Sequence, residues 1–194
     1  MNGTEMQACC FCQEWISSRA RHCPHCGESL TFPSRAEILD EQINLDPILE
    51  GQVDDLVLAY LRGVDLCGAF LSGADLFAAD LAAADLRGAD LGEAHLGSAD
   101  LSGADLSRAN LLGADLSWAN LNRAQLHSAS IVGANLMRVD APNADFRRVN
   151  LQDSDVWRAA FDNSDLRNAE VSWDDTDRAS FRGTRVTLLQ RLRS

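Results

Sequence analysis

An apolar residue recurs at every fifth position from Leu61 to Val186, without one insertion and with Thr176 as the polar exception. The pattern spans 26 consecutive five-residue units, and its clearest form is Ala-Asp-Leu-Ser-Gly at 99–103. A helix rotates residues i and i+5 about 140° apart around its axis, and a strand places them on opposite faces. Neither element presents every fifth residue to one interior. The pattern therefore predicts a chain that turns a corner in each unit.

Alanine repeats with the same period, two residues before the central apolar residue. Ala59 and the fourteen successive residues from Ala69 to Ala134 occupy this position, and Val64 is the exception. Residues i and i−2 share one face of an extended segment. We therefore expect alanine and leucine to lie inside, with the intervening Asp or Asn pointing outward. A helical array rich in alanine and leucine is the alternative, and the frequent Asp, Asn and Gly disfavour it.

These units resemble the pentapeptide-repeat family, whose motif is Ala-(Asp/Asn)-Leu-x-x. The resemblance covers residues 59–186, about two thirds of the chain. It implies an all-β solenoid, a right-handed quadrilateral β-helix in which four units form one coil. Leucine and alanine would stack inside this coil.

The motif weakens after Leu136, where the central residues become more varied in size. Pairing larger with smaller interior residues can preserve the packed volume. Asp174 and Thr176 fit least well because both would face the core. We therefore expect a bulge or a hydrogen-bonded irregularity between Trp173 and Asp177.

Apolar residues with helical spacing flank the repeat at both ends. Ser34 and Glu37 form a capping box, and Asp46-Pro47 suits the start of a second helix. The open end of a β-helix exposes strand edges and an interior layer, so it needs a cover. We assign residues 34–58 to a helical linker and amino-terminal cap. At the other end, the leucines of residues 187–194 predict a short helix that caps the last coil or joins two subunits in a homodimer.

The amino-terminal segment, residues 1–33, contains two Cys-x-x-Cys pairs: Cys9 with Cys12, and Cys23 with Cys26. Four thiolates with this spacing can surround one tetrahedral zinc ion at about 2.3 Å. The Cys-Pro-x-Cys-Gly knuckle resembles the zinc-ribbon family, although Gln13 replaces a common glycine and Cys10 is an additional thiol. His22 and His25 are alternative ligands. We expect a structural zinc, because four thiolates leave no open coordination position and so small a module has no sufficient core of its own.

Composition narrows the classes of function. The net charge is −12 and the chain contains no lysine, which excludes lysine Schiff-base chemistry and a lysine-dependent phosphate loop. Such an acidic chain repels nucleic-acid phosphates, so basic proteins or DNA-binding grooves are the expected partners. We find neither a run of about 20 apolar residues nor a signal-peptide pattern. We therefore expect a cytoplasmic protein without a membrane partner, whose six cysteines are metal ligands or free thiols.

Residues 20 apart would stack about 4.8 Å apart if four units form a coil. One such column is almost entirely acidic and contains Asp65, Asp85, Asp105, Asp145 and Asp165. This acidic ladder suggests a rod that copies the charge of duplex DNA. The alternative is that these residues simply solvate a β-helix.

A second column combines aromatic and basic residues. The candidate protein-binding residues are Trp118, Arg138, Arg158 and Arg178, which share this column, and Met137 and Trp157, which lie beside it with Phe77. Clusters of exposed aromatic and arginine residues are typical of binding surfaces. The arginines have an alternative role, which is to neutralise Asp155 and Asp175 on the same face.

No nucleophile motif is present, and a rod offers no cleft in which carboxylates converge. We therefore predict a non-enzymatic protein-interaction scaffold, built on an acidic rod with a structural zinc ribbon. The family resemblance implies an alternative, a DNA mimic that binds a type II topoisomerase such as gyrase and protects it from inhibitors. Against this alternative, the chain lacks the projecting loops of part of that group and adds the zinc ribbon.

Overall fold

The computed structural model describes residues 55–172 and 178–187, together with two short strands near the amino terminus. Strand β1 (Met6–Ala8) pairs antiparallel with β2 (Trp15–Ser17). In the sequence, these strands flank Cys9 and Cys12. Among the described residues, no helix has the length and apolarity needed to cross a membrane.

The repeat forms a β-helix with four units in each coil. Bridge residues 20 apart pair in parallel, so that Asp65 pairs with Asp85 and Asp85 with Asp105. The pairing lengthens into true strands at β3 (Asn150–Leu151) and β4 (Glu170–Val171), which are also parallel. The β-helix with four units per coil, which the family resemblance implies, is therefore confirmed.

The interior contains the residues that the pattern predicts. The central residues from Leu61 to Leu136 are at most 1% exposed, and the alanines two positions earlier, from Ala69 to Ala134, are also buried, whereas Ala59 is partly buried. Aromatic rings fill the later coils: Phe146 meets Phe161 edge to face, and Phe161 stacks on Phe181, each pair with centroids 5.2 Å apart. Ala141, the small central residue one coil before Phe161, is fully buried. The expected combination of larger and smaller interior residues is thus present.

Each corner of the coil depends on a left-handed backbone at the second turn residue. Glycine suits this conformation, yet sixteen non-glycine residues of the described chain also adopt it, including Trp118 (φ 62°) and Arg138 (φ 56°). The Asp or Asn at the bridge position supports the turn through its side chain. Asp105 Oδ1, for example, accepts a hydrogen bond from the Ser107 N–H at 2.9 Å. The bridge carboxylates therefore stabilise the corners as well as solvating the surface.

The β-helix begins earlier than the sequence predicts. Asp55 pairs with Asp75, and the Leu56 N–H donates to the Asp75 carbonyl at 2.7 Å. The Leu56 side chain is buried like later central residues. Assigning residues 55–58 to the helical cap is therefore wrong. The reason is that Asp54 stands where the motif has alanine, which hides the first unit in the sequence.

Several predictions lie outside the described residues: the four-cysteine zinc site, the helices within 34–54, the irregularity at 173–177, and the terminal helix apart from Thr187. Cys67 can be assessed, and it is disulfide-bonded. The expectation that every cysteine is a metal ligand or a free thiol is wrong for Cys67. That expectation depended on an assumed reducing compartment.

Candidate functional site

The corner residues of successive coils line up into four edges along the rod. One of them, which we name the Trp–Arg edge, comprises Val57, Leu58, Phe77, Trp118, Met137, Arg138, Trp157, Arg158 and Arg178. All of these residues occupy the turn that follows the same column of bridge residues. The structure therefore brings together all six residues that the sequence predicts for protein binding.

Guanidinium groups stack on indole rings along this edge. The Arg138 guanidinium carbon lies 4.3 Å from the Trp118 ring centroid and 5.3 Å from that of Trp157. The corresponding carbon of Arg158 lies 4.4 Å from Trp157, and that of Arg178 lies 5.9 Å from it. These are cation–π distances. The attraction holds the long arginine side chains against the rings.

Exposed apolar side chains extend the edge to the first coil. Of the seven large hydrophobic residues that are exposed in the described chain, four lie on it: Val57, Leu58, Phe77 and Trp118. Gly97 leaves room for the Phe77 ring, because a Cβ atom at residue 97 would lie only 3.2 Å from that ring. Val57 and Leu58 are absent from the sequence prediction. Their spacing of 20 residues from Phe77 and Ala78 is the signal that identifies them.

The arginines of this edge form no ion pair with a carboxylate of the described residues. Within residues 55–172 and 178–187, neither Arg138 nor Arg158 forms an ion pair with an acidic side chain. Asp155 instead accepts a hydrogen bond from the Trp157 backbone N–H at 2.9 Å. Asp175 lies outside the described residues. For Asp155, the alternative role of the arginines is therefore wrong.

The acidic ladder forms one column as predicted, but three arginines accompany it. Arg87 pairs with Asp85 and lies 3.9 Å from Asp105. The corresponding ion pairs further along join Arg147 to Asp145 at 2.5 Å and Arg167 to Asp165 at 2.6 Å. Each arginine follows its aspartate by two residues, so the Asp-x-Arg spacing is the signal that the sequence analysis missed. Much of the ladder's negative charge is neutralised by these pairs.

Two members of the ladder differ in their ionisation. Burial raises the pKa of the Asp65 carboxyl, and the neighbouring Asp85 charge adds to the rise. The hydrogen bond from Arg167 lowers the pKa of Asp165. The first carboxylate is therefore costly to ionise, whereas the second is stabilised in its charged form.

Charge is distributed unevenly along the rod. Residues 55–120 contain ten acidic residues and three arginines, whereas residues 121–187 contain ten acidic residues and nine arginines. The first three coils therefore carry most of the net negative charge of the β-helix.

A family model described as "Pentapeptide repeats" matches residues 55–92, 84–123, 99–136 and 144–173, in eight copies. No curated protein matches this chain. Together, the matched segments cover more than half of the sequence and most of the described coils.

Solved structures of pentapeptide repeat proteins also match. HetL, involved in heterocyst differentiation regulation in Nostoc sp. strain PCC 7120, is 32% identical, with 68% of this chain and 63% of HetL covered and a TM-score of 0.46. QnrB1, a plasmid-mediated fluoroquinolone resistance protein, is 19% identical, with coverages of 71% and 88% and a TM-score of 0.56. A protein of the Arabidopsis thaliana thylakoid lumen is 33% identical, with coverages of 56% and 69% and a TM-score of 0.24. The likeness to QnrB1 is one of fold alone.

Proposed function

Because this chain belongs to the pentapeptide repeat family, we propose that it is a non-enzymatic protein-interaction scaffold whose Trp–Arg edge binds the partner. One observation carries the proposal: guanidinium groups stack on the exposed Trp118 ring and the half-buried Trp157 ring without a carboxylate partner among the described residues. Tryptophan and arginine are the residues that most often dominate the free energy of protein association. A stacked guanidinium also keeps its in-plane N–H donors for the partner.

The shape of the edge suits a protein partner. It follows the rod over about six coil steps of about 4.8 Å, from Leu58 to Arg178, and its apolar end at Leu58 is 72% exposed. Such a long, convex strip does not enclose a small molecule, which usually requires a concave site. A protein surface can cover both the apolar end and the arginines.

The experiment is affinity capture from the native cell, followed by measurement of the purified complex. We expect the double variant Trp118→Ala, Trp157→Ala to weaken partner binding at least about tenfold, because two stacked anchors are removed. The matched control, Phe70→Ala with Leu112→Ala, removes exposed apolar side chains outside the Trp–Arg edge and should retain the partner. Thermal unfolding shows whether the fold of each variant is intact. Equal binding by both variants would contradict the proposal.

A second candidate is the DNA mimic that binds a type II topoisomerase. The acidic half of the rod, residues 55–120, favours it, as does the shared fold with a fluoroquinolone resistance protein. The neutralised carboxylates beside Arg147 and Arg167 weaken it. The test is binding to purified gyrase and relief of its inhibition by quinolones. Absence of binding at low salt, where charge attraction is strongest, would exclude this candidate.

We also propose that Cys9, Cys12, Cys23 and Cys26 hold one structural zinc ion. Their spacing supports this, and so do strands β1 and β2 on either side of the first pair. Metal analysis of protein purified without a chelator should find about one zinc per chain. Cys23→Ser should lose the metal, whereas the matched Cys10→Ser variant should keep it. Metal loss in both variants, or in neither, would contradict this ligand set.

A further inference from the structure

The corner diagonally opposite the Trp–Arg edge carries a concentration of basic side chains. We name it the cationic corner; its residues line a cavity of about 320 Å³ and are His127, Arg147, Arg148, Arg167, Asn168 and Thr187. It lies two units, or half a coil, from the turns that hold Met137 and Trp157. The two surfaces are therefore separate.

Two arginines of the cationic corner are held in place by carboxylates. The Nε and Nη2 groups of Arg147 donate to Asp145 at 2.5–2.9 Å. The same groups of Arg167 donate to Asp165 at 2.6–3.1 Å. These bonds use only one side of each guanidinium, and neither Nη1 group donates to another residue of the described chain. Both guanidinium groups are thus oriented without being fully used.

Two further groups have unused capacity for hydrogen bonding. Arg148 forms no ion pair with a carboxylate of the described residues. The Nδ1 atom of His127 is buried and has no hydrogen-bond partner in that part of the chain. A buried polar atom without a partner is uncommon and calls for an explanation. The corner also has three arginines for two aspartates, which leaves a local positive excess on a chain of net charge −12.

We propose that the cationic corner is a binding site for a phosphate group. The planar fork of arginine matches the oxygens of phosphate, and fixing Arg147 and Arg167 on their aspartates lowers the entropy lost on binding. Arg148 supplies the charge that is not already neutralised. The unmatched charge of Arg148, beside two oriented guanidinium groups, attracts an anion to this corner despite the net negative charge of the chain.

The experiment titrates the full chain with inorganic phosphate at constant low ionic strength and follows backbone amides by NMR. We expect saturable shifts centred on His127, Arg147 and Arg148. Arg148→Gln should weaken binding about tenfold, which corresponds to the loss of one charge-assisted hydrogen bond. The matched control is Arg123→Gln, since Arg123 and Arg148 are both exposed turn residues with φ of 60° and 59°. This control should bind phosphate as the unmodified chain does.

A second arm replaces inorganic phosphate with vesicles containing phosphatidic acid, to distinguish a lipid headgroup from a free phosphate. Saturable binding that depends on Arg148 in either arm supports the site and identifies the source of the phosphate group. Equal weakening by Arg148→Gln and Arg123→Gln would reveal general charge attraction and overturn the proposal. Binding that does not saturate in either arm would also overturn it. Thermal unfolding confirms that each variant is folded.

Discussion

Asp65 and Asp165 occupy equivalent positions in the acidic ladder, but their surroundings shift the pKa in opposite directions. Asp65 is partly buried beside another carboxylate, which raises its pKa. Asp165 accepts hydrogen bonds from Arg167, which lower its pKa. Each carboxylate also accepts a hydrogen bond from the backbone N–H two residues later. Asparagine preserves that acceptor while removing the charge, so it isolates the effect of ionisation.

We predict that Asp65→Asn raises thermal stability at neutral pH and that Asp165→Asn lowers it, each by about 2 °C. A raised folded-state pKa favours folding at low pH, and that contribution is lost as the pH rises through it. A carboxyl whose pKa is lowered in the folded state stabilises the fold above the ordinary pKa of 3.8. This stabilisation is lost as the pH falls from 3.8 through the folded-state pKa. Melting temperatures between pH 3 and 7 would show both differences diminishing in acid. Shifts of the same sign at neutral pH would contradict this account.

The sequence predicts where these aspartates point but not everything that they do. Outward placement follows from the alternation between alanine and leucine. The hydrogen bond from the backbone N–H two residues later depends on the left-handed turn, which periodicity alone does not reveal. The pairing of Arg167 with Asp165 also requires the corner geometry, although the Asp-x-Arg spacing is visible in the sequence.

At the scale of the element, the five-residue unit closes its turn with one backbone hydrogen bond. In regular units the small residue's N–H donates to the central carbonyl, as Ala104 does to Leu101 at 3.0 Å. The turn from Ala141 to Ala144 is bridged by a side chain from the next coil instead. Ser164 Oγ accepts from the Ala144 N–H at 3.1 Å and donates to the Ala141 carbonyl at 2.5 Å. A buried hydroxyl thus replaces the usual turn bond.

We predict that Ser164→Ala destabilises the fold by about 1–3 kcal/mol, because it leaves two buried backbone groups without partners. Ser154→Ala is the matched control. Ser154 also donates to a carbonyl, that of Ile131, but the turn bond from Ala134 to Ile131 is present there. Its removal should cost less. Urea unfolding measures both free energies, and an equal or smaller loss for Ser164→Ala would show that its turn closes unaided.

The unit was predictable because its period differs from those of helices and strands. The predicted start of the β-helix is wrong because it leaves out Leu56, and the reason is that Asp54 interrupts the alanine column. The 20-residue column also predicts that Trp118, Arg138 and Arg158 lie together, which agrees with the stacking of Arg138 on Trp118. The apolar extension to Leu58 has the same 20-residue spacing, but assigning residues 55–58 to the cap hides it; the structure shows that Leu58 is an exposed corner residue.

At the scale of the whole molecule, two edges of the rod differ in chemistry and lie on opposite corners. The Trp–Arg edge offers aromatic and apolar area, and the cationic corner offers oriented N–H donors. A rigid β-helix between them keeps the two surfaces apart. A protein bound to one edge therefore leaves the other accessible, which suits a scaffold with two ligands.

The concentration of acidic residues in residues 55–120 has a consequence for how partners meet this rod. The coils span about 30 Å at about 4.8 Å each, whereas salt screens charges over about 8 Å under physiological conditions. The two halves therefore act as separate poles of an electric dipole along the axis. A basic partner exerts a torque on this dipole and turns the acidic pole toward itself before contact. Encounters then begin at the amino-terminal coils, and the partner reaches the Trp–Arg edge along its apolar end.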